Sequence, residues 1–121
     1  MDKVIKSKDE KRAKALIDLA RNRYLTINEL KEPYKLTEEY YEIIRELLTA
    51  FMYNSGFKNN NQLTEFAKEN IKTLTPSEIS LIEELKIKRD NLVYSGEIVG
   101  ADFLKSRKSA IDWIIEKLLR C

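Results

Sequence analysis

Apolar residues recur along much of the chain at intervals of three and four, the spacing that places side chains on one face of an α-helix. The first stripe predicts a helix from about Lys8 to Glu29. Its apolar positions are Ala13, Leu16, Ile17, Ala20, Tyr24 and Ile27. Glu32-Pro33 is expected to end this segment, because the residue before a proline disfavours helical geometry.

Two further helices are predicted before residue 75. Thr37 followed by Glu38 and Glu39 is typical of a helix start, since a hydroxyl caps free amides and carboxylates meet the positive end of the helix dipole. The stripe of this second helix is Tyr40, Ile44, Leu47, Leu48 and Phe51. Gly56 can close it in a left-handed conformation. An asparagine turn at Asn59–Asn61 then leads to a shorter third helix. Its apolar positions are Leu63, Phe66, Ala67 and Ile71.

The run Thr75-Pro76-Ser77-Glu78 has the pattern of a capping box with proline at the first helical position, and it predicts the start of a fourth helix. This helix carries Leu81, Ile82, Leu85, Leu92 and Val93 and should weaken near Ser95-Gly96. A last helix from about Asp102 to Leu119 carries Leu104, Ile111, Ile114, Ile115 and Leu118, with Trp113 beside them. We therefore predict an all-α, antiparallel bundle of four to five helices, formed as a single domain over residues 1–121.

The composition agrees with long helices in a globular chain. Only 3 glycines and 2 prolines occur in 121 residues, so few positions break helices. Charged residues make up 35% of the chain, and no apolar run approaches the roughly 20 residues that cross a bilayer. We expect a soluble, cytoplasmic protein without membrane association.

Residue types missing from the sequence exclude several chemistries. The chain has no histidine, and its single cysteine is the last residue, Cys121. Catalysis by serine–histidine or cysteine–histidine pairs and metal binding by histidine are therefore excluded, and we expect no metal site and no cofactor. The net charge of +2 is too small to indicate nucleic-acid binding by itself.

One residue of the fourth helix breaks the apolar pattern. At 100° per residue, Arg89 falls within the apolar arc of about 120° that faces the core. A guanidinium cannot lose its charge, so burying it costs several kcal/mol unless a partner, water or a ligand receives it. Three explanations fit: a structural ion pair, a side chain that reaches solvent at the edge of the bundle, or a phosphate-binding arginine. Tyr94 lies about 140° away and shares a site with Arg89 only if the helix is distorted or a second subunit contributes.

The segment Arg89-Asp90-Asn91-Leu92-Val93-Tyr94 resembles the signature of the HEPN family, in which an arginine and a polar residue are followed, after a short apolar stretch, by histidine. The similarity to small stand-alone archaeal members covers about Tyr40 to Leu119 in order and spacing. The segments that carry it besides the signature are Tyr41–Leu48, Ser55–Lys58, Leu81–Leu85 and Tyr94–Glu97.

This resemblance implies a bundle of four or five helices, a homodimer that brings two signature segments into one cleft, and frequent pairing with a minimal nucleotidyltransferase in toxin–antitoxin modules. Many HEPN relatives are metal-independent ribonucleases, in which the arginine holds phosphate and the histidine assists proton transfer. Arg89 matches the arginine and Asp90 the polar residue, whereas Tyr94 stands in the place of histidine. Tyrosine, with an unperturbed pKa near 10, is a poor general base at neutral pH.

Three functional hypotheses follow. The leading one is a HEPN-type dimer with weak or absent ribonuclease activity, which binds nucleotide, RNA phosphate or a nucleotidyltransferase through Arg89. The neighbours Lys86, Lys88 and Asn91 would join Arg89 in ligand binding. The alternative is a metal-independent RNA endonuclease that uses Arg89 with Tyr94 or Asp90 as catalytic residues. The third is a structural interaction domain in which Arg89 pairs with an acid such as Glu46 or Glu84.

Overall fold

A computed structural model of the chain describes residues 4–5, 8–58, 63–97 and 101–121. These residues form five α-helices, which confirms the predicted all-α bundle. The helices are α1 (Glu10–Thr26), α2 (Pro33–Ser55), α3 (Leu63–Asn70), α4 (Pro76–Ser95) and α5 (Ala101–Arg120). Two short strands, β1 (Val4–Ile5) and β2 (Phe57–Lys58), pair in antiparallel register. The predicted turn at Asn59–Asn61 lies outside the described residues.

The second helix begins earlier than the sequence pattern predicts. α2 starts at Pro33, four residues before Thr37. Proline is favoured at the first helical position because it has no N–H to leave unpaired and its φ angle is already helical. Thr37 is fully buried and donates its hydroxyl proton to the carbonyl oxygen of Pro33 at 2.9 Å. The same proline therefore ends the preceding segment and begins α2, and Thr37 is an interior residue.

The ends of α1 and α4 are fixed by capping contacts. The Asp9 carboxylate accepts from the backbone N–H of Arg12 at 3.0 Å, and a 3₁₀ turn at Ile27–Glu29 follows α1. The capping box at the start of α4 is present as predicted: Thr75 accepts from the Glu78 N–H at 3.2 Å, and Glu78 accepts from the Thr75 N–H at 2.9 Å. α4 ends at Gly96, whose φ angle is +68°.

The core is built around α2, which packs against α1, α3, α4 and α5. Apolar side chains at helical spacing on α2, α4 and α5 are buried almost completely, and removing them from water is the main stabilising contribution. The largest of the fully buried apolar side chains are Tyr40, Ile43, Ile44, Leu47, Leu48, Met52, Ile82, Leu85, Ile111, Ile114 and Ile115.

α4 contributes to this core only through its first half. Its buried residues end at Leu85, although every residue of the helix through Ser95 is described. Leu92 is half-buried and Val93 is exposed, so the predicted apolar stripe does not continue into the core. The second half of α4 therefore contributes no fully buried side chain, and its inward residues, such as Arg89 and Leu92, are half-buried.

Candidate interaction site on the fourth helix

The structure places Arg89 on the side of α4 that faces α2, with 22% of its side chain exposed. Its guanidinium carbon lies 4.5 Å from the centroid of the Tyr41 ring, on the neighbouring helix. The Arg89 Nε atom is 3.3 Å from the Asp90 carboxylate, close enough for charge attraction. The same buried Nε has no hydrogen-bond partner among the described residues. Stacking on Tyr41 and attraction to Asp90 together hold the guanidinium in place.

Arg89 also borders a surface groove of about 380 Å³ between α2 and α4, which we call the Arg89 groove. Its lining residues are Leu30, Lys35, Glu38, Glu39, Glu42, Arg89 and Val93. Three carboxylates near one guanidinium oppose the approach of a phosphate group. The described residues contain no group of acidic or cysteine side chains arranged to hold a metal ion.

Two of those carboxylates are already paired with arginines of the same chain. Glu39 accepts from Arg23 at 3.0 Å, and Glu42 accepts from Arg45 Nε at 2.9 Å. These pairs reduce the negative charge that Arg89 and any bound group would experience. The positive and negative charges around the Arg89 groove therefore largely offset one another, and Glu38 is the exposed acid of its lining.

The two acids considered as partners of Arg89 are both engaged elsewhere. Glu46 binds Arg23 Nε at 2.9 Å, and Glu84 binds Arg107 Nε at 3.3 Å. Both predicted pairings are wrong, because Glu46 is paired with Arg23 of α1 and Glu84 is paired with Arg107 of α5. Glu46 is almost fully buried; burial raises the pKa of its carboxyl, and Arg23 offsets only part of that effect.

The other predicted site residues, Asp90, Lys86 and Lys88, lie around α4 at different angles. Asp90 accepts from Lys86 Nζ at 3.0 Å as well as attracting Arg89. The ammonium group of Lys88 lies 5.4 Å from the ring centroid of Phe103 on α5. Both lysines therefore contact groups of their own chain rather than the Arg89 groove.

Tyr94 does not meet Arg89 within one chain. It is 78% exposed and is absent from the lining of the Arg89 groove. α4 remains helical through Ser95, so no distortion turns the tyrosine toward the arginine. One chain therefore does not bring together the two groups that the predicted catalytic pair requires.

Tyr94 instead shares the solvent side of α4 with Ile87, which is 59% exposed. The two residues are seven apart, so they lie within about 20° of each other, with Asn91 between them. Arg89 points about 160° away from Ile87. We call this solvent side, comprising Glu83, Glu84, Ile87, Asp90, Asn91 and Tyr94, the outer face of α4.

Sequence reasoning missed the outer face, although a signal for it was present. Ile87 falls outside the apolar arc of α4, and Tyr94, seven residues later, lies on the same side of the helix. Exposed apolar side chains on one side of a helix are typical of contact surfaces.

Comparison of the chain with protein-family models, curated proteins and solved structures found no match. Within the described ranges, every helix is too short or too polar to span a lipid bilayer.

Proposed function

We propose that this protein is a HEPN-like helical interaction module of the cytoplasm that binds other proteins through the outer face of α4, with a second copy of itself as one partner. The observation that carries the proposal is the exposure of Ile87 and Tyr94 on one face of α4. Full burial of side chains of this size contributes about 1.5–3 kcal/mol each. Two such residues supply a useful part of the free energy of a micromolar contact.

The position of the outer face also favours protein binding. Ile87 and Tyr94 follow the last buried residue of α4, Leu85, so a partner can cover them without rearranging the core. Its half-buried polar residues, Asp90 and Asn91, can form the polar rim of such a contact. A minimal nucleotidyltransferase, the partner implied by the resemblance to HEPN proteins, would bind at this face.

The experiment compares two substitutions on the same helix. Ile87→Asp places a charge on the outer face, whereas Val93→Asp places the same charge at an exposed position on the Arg89 side. Sedimentation velocity over a concentration series should show association of the wild type and of Val93→Asp, and at least about tenfold weaker association of Ile87→Asp. Identical behaviour of both variants would refute a role for the outer face.

A second candidate function is binding of a nucleotide or RNA phosphate by Arg89. It is favoured by the Arg89 Nε atom, which is buried without a hydrogen-bond partner among the described residues. Tyr41 fixes the direction of the guanidinium, which lowers the entropy cost of binding an anion. The exposed carboxylate of Glu38 weakens that binding, so we expect low affinity.

Calorimetry with AMP and with a short single-stranded RNA tests this second candidate, with Arg89→Met as the variant and Lys88→Met as the matched control. Loss of binding only in Arg89→Met supports it, and equal binding by both variants contradicts it. Incubation of labelled RNA with the wild type, with and without chelator, tests the endonuclease that would use Arg89 with Tyr94 or Asp90. With tyrosine in place of histidine, we expect intact RNA.

A further inference from the structure

A cleft of about 220 Å³ lies between α3 and α4 and shares no residue with the Arg89 groove. Its lining residues are Thr64, Glu65, Lys68, Leu74, Pro76, Ile79, Ser80 and Glu83, and we call it the α3–α4 cleft. The lining positions of each helix are three and four residues apart, so each helix presents one face to the cleft. The volume is below the roughly 300–1,000 Å³ of pockets that hold drug-sized molecules, so the cleft fits a smaller ligand.

The α3–α4 cleft has an apolar floor. Leu74, in the connection between the two helices, and Ile79 are buried, and both line the cleft. The hydroxyls of Thr64 and Ser80 lie above this floor and have no hydrogen-bond partner among the described residues. An apolar surface with a few polar groups around it is the usual lining of a small-molecule site.

The charged residues at the rim of the cleft are not paired within the described part of the chain. Glu65, Lys68 and Glu83 are exposed, and their side chains have no ion-pair or hydrogen-bond partner among the described residues. In contrast, Glu39 and Glu42 of the Arg89 groove are both paired with arginines. The charges of the α3–α4 cleft are therefore available to a ligand.

These charges have both signs and lie beside an apolar surface. Glu65 and Lys68 are three residues apart on α3, or about 4.5 Å along the helix axis, and Glu83 lines the same cleft from α4. A ligand with only a positive charge would be repelled by Lys68, and one with only a negative charge would be repelled by two carboxylates. A molecule with an ammonium group next to a carboxylate satisfies both signs, and an aliphatic side chain on it can cover the floor.

We infer that the α3–α4 cleft binds a free aliphatic amino acid, an inference that is independent of the proposed function of the outer face. The ammonium group of the ligand lies between Glu65 and Glu83, and its carboxylate accepts from Lys68. Its aliphatic side chain covers Leu74 and Ile79. The exposed rim leaves these charges in contact with water, so we expect a modest affinity, with a Kd of about 0.1–1 mM.

Calorimetry of the full chain with L-leucine and three analogues tests the class of ligand. Isoamylamine lacks the carboxylate, 4-methylpentanoate lacks the ammonium group, and glycine lacks the apolar side chain. Each analogue should bind at least about tenfold more weakly than leucine. Isoamylamine that binds as tightly as leucine overturns the recognition of a zwitterion, and absence of leucine binding at about 10 mM overturns the inference as a whole.

Two pairs of substitutions test whether the charges of the rim bind the ligand. Glu83→Gln and Lys68→Gln each remove one charge, and each should weaken leucine binding at least about tenfold. Glu38→Gln and Lys72→Gln are the controls, because they remove the same charges from exposed positions outside the cleft. The controls should bind leucine as the wild type does, and equal binding by all four variants overturns the inference.

A further pair tests the cleft itself. Ser80→Leu fills the cleft from an exposed position and should abolish leucine binding. Ser109→Leu is the control, because Ser109 is an exposed serine on α5 that does not line the cleft. Urea unfolding checks that both variants keep the fold. A folded Ser80→Leu variant that binds leucine as tightly as the wild type excludes the cleft as the binding site.

The variant Ile87→Asp separates this inference from the proposed function. Glu83 belongs to both surfaces, but Ile87 does not line the cleft. Ile87→Asp should therefore bind leucine as the wild type does, even where it weakens the association of copies. If Ile87→Asp abolishes leucine binding and Lys68→Gln does not, leucine binds the outer face and the inference fails.

Discussion

The contact between Arg89 and Tyr41 can be measured by a double-mutant cycle. Arg89→Met keeps most of the aliphatic stem and removes the charge, and Tyr41→Leu removes the ring. The Arg89 guanidinium lies 4.5 Å from the centroid of the Tyr41 ring, and 22% of the Arg89 side chain is exposed. This cation–π contact is therefore neither fully exposed to water nor fully desolvated. We therefore expect a coupling energy of about 1 kcal/mol.

The single substitution Arg89→Met is expected to change stability much less than this contact suggests. It loses the attraction to Tyr41, but it also removes the buried Nε atom that lacks a hydrogen-bond partner among the described residues, a relief of about 1 kcal/mol. Asp90 keeps its ion pair with Lys86, so no carboxylate is left without a cation. The two effects nearly cancel, and only the cycle separates them.

Urea unfolding of the wild type, the two single variants and the double variant gives the four free energies of the cycle. Tyr41→Phe is the control, because phenylalanine keeps the ring face and should preserve the coupling to Arg89. A coupling energy indistinguishable from zero would refute the stacking argument. If Arg89→Met is more stable than the wild type by well over 1 kcal/mol, the guanidinium is a buried charge that the free protein does not compensate.

Three further predictions concern the core and its charges. Leu85→Ala, at a fully buried position, should cost about 2–5 kcal/mol by urea unfolding, and a cost below about 1 kcal/mol would contradict the described packing. Burial by itself raises the pKa of Glu78, but hydrogen bonds from Lys117 and the Thr75 backbone lower it below its usual value. Glu78→Gln should therefore cost about 1–2 kcal/mol at pH 7, a difference that shrinks as the pH falls through the lowered pKa. Burial raises the pKa of Glu46, so its contribution to stability is present at acid pH and is lost as the pH rises through that raised value. Unfolding of Glu46→Gln across pH 4 to 7 should lack this loss, and an unchanged pH profile would contradict it.

The sequence predicted the helices well where a local rule was sufficient. The capping box at Thr75 needs only four adjacent residues, and the apolar stripes of α2 and α5 need only helical spacing. The predicted start of α2 at Thr37 was wrong because proline obeys two local rules. It disfavours helical geometry in the residue before it, and it is favoured at the first position of a helix. Only packing at Thr37, which is buried, decides between them.

The candidate site was less predictable because its chemistry depends on other helices. The apolar arc of α4 indicated that Arg89 faces inward, but Tyr41 as its stacking partner lies 48 residues earlier in the sequence. Glu46 was a plausible partner by type and burial, and Arg23 of α1 occupies it instead.

The uneven anchoring of α4 has a mechanical consequence. Its first three turns are held by the capping box and the core, whereas the remainder is held by its own backbone hydrogen bonds and by partly buried side chains. Fraying that begins at Gly96 and passes Arg89 breaks the contact of Arg89 with Tyr41, but it exposes no fully buried side chain of α4 until it reaches Leu85. The second half of α4, which carries Ile87 and Tyr94, can therefore unwind locally when a partner binds, while the packed core of the bundle keeps its structure.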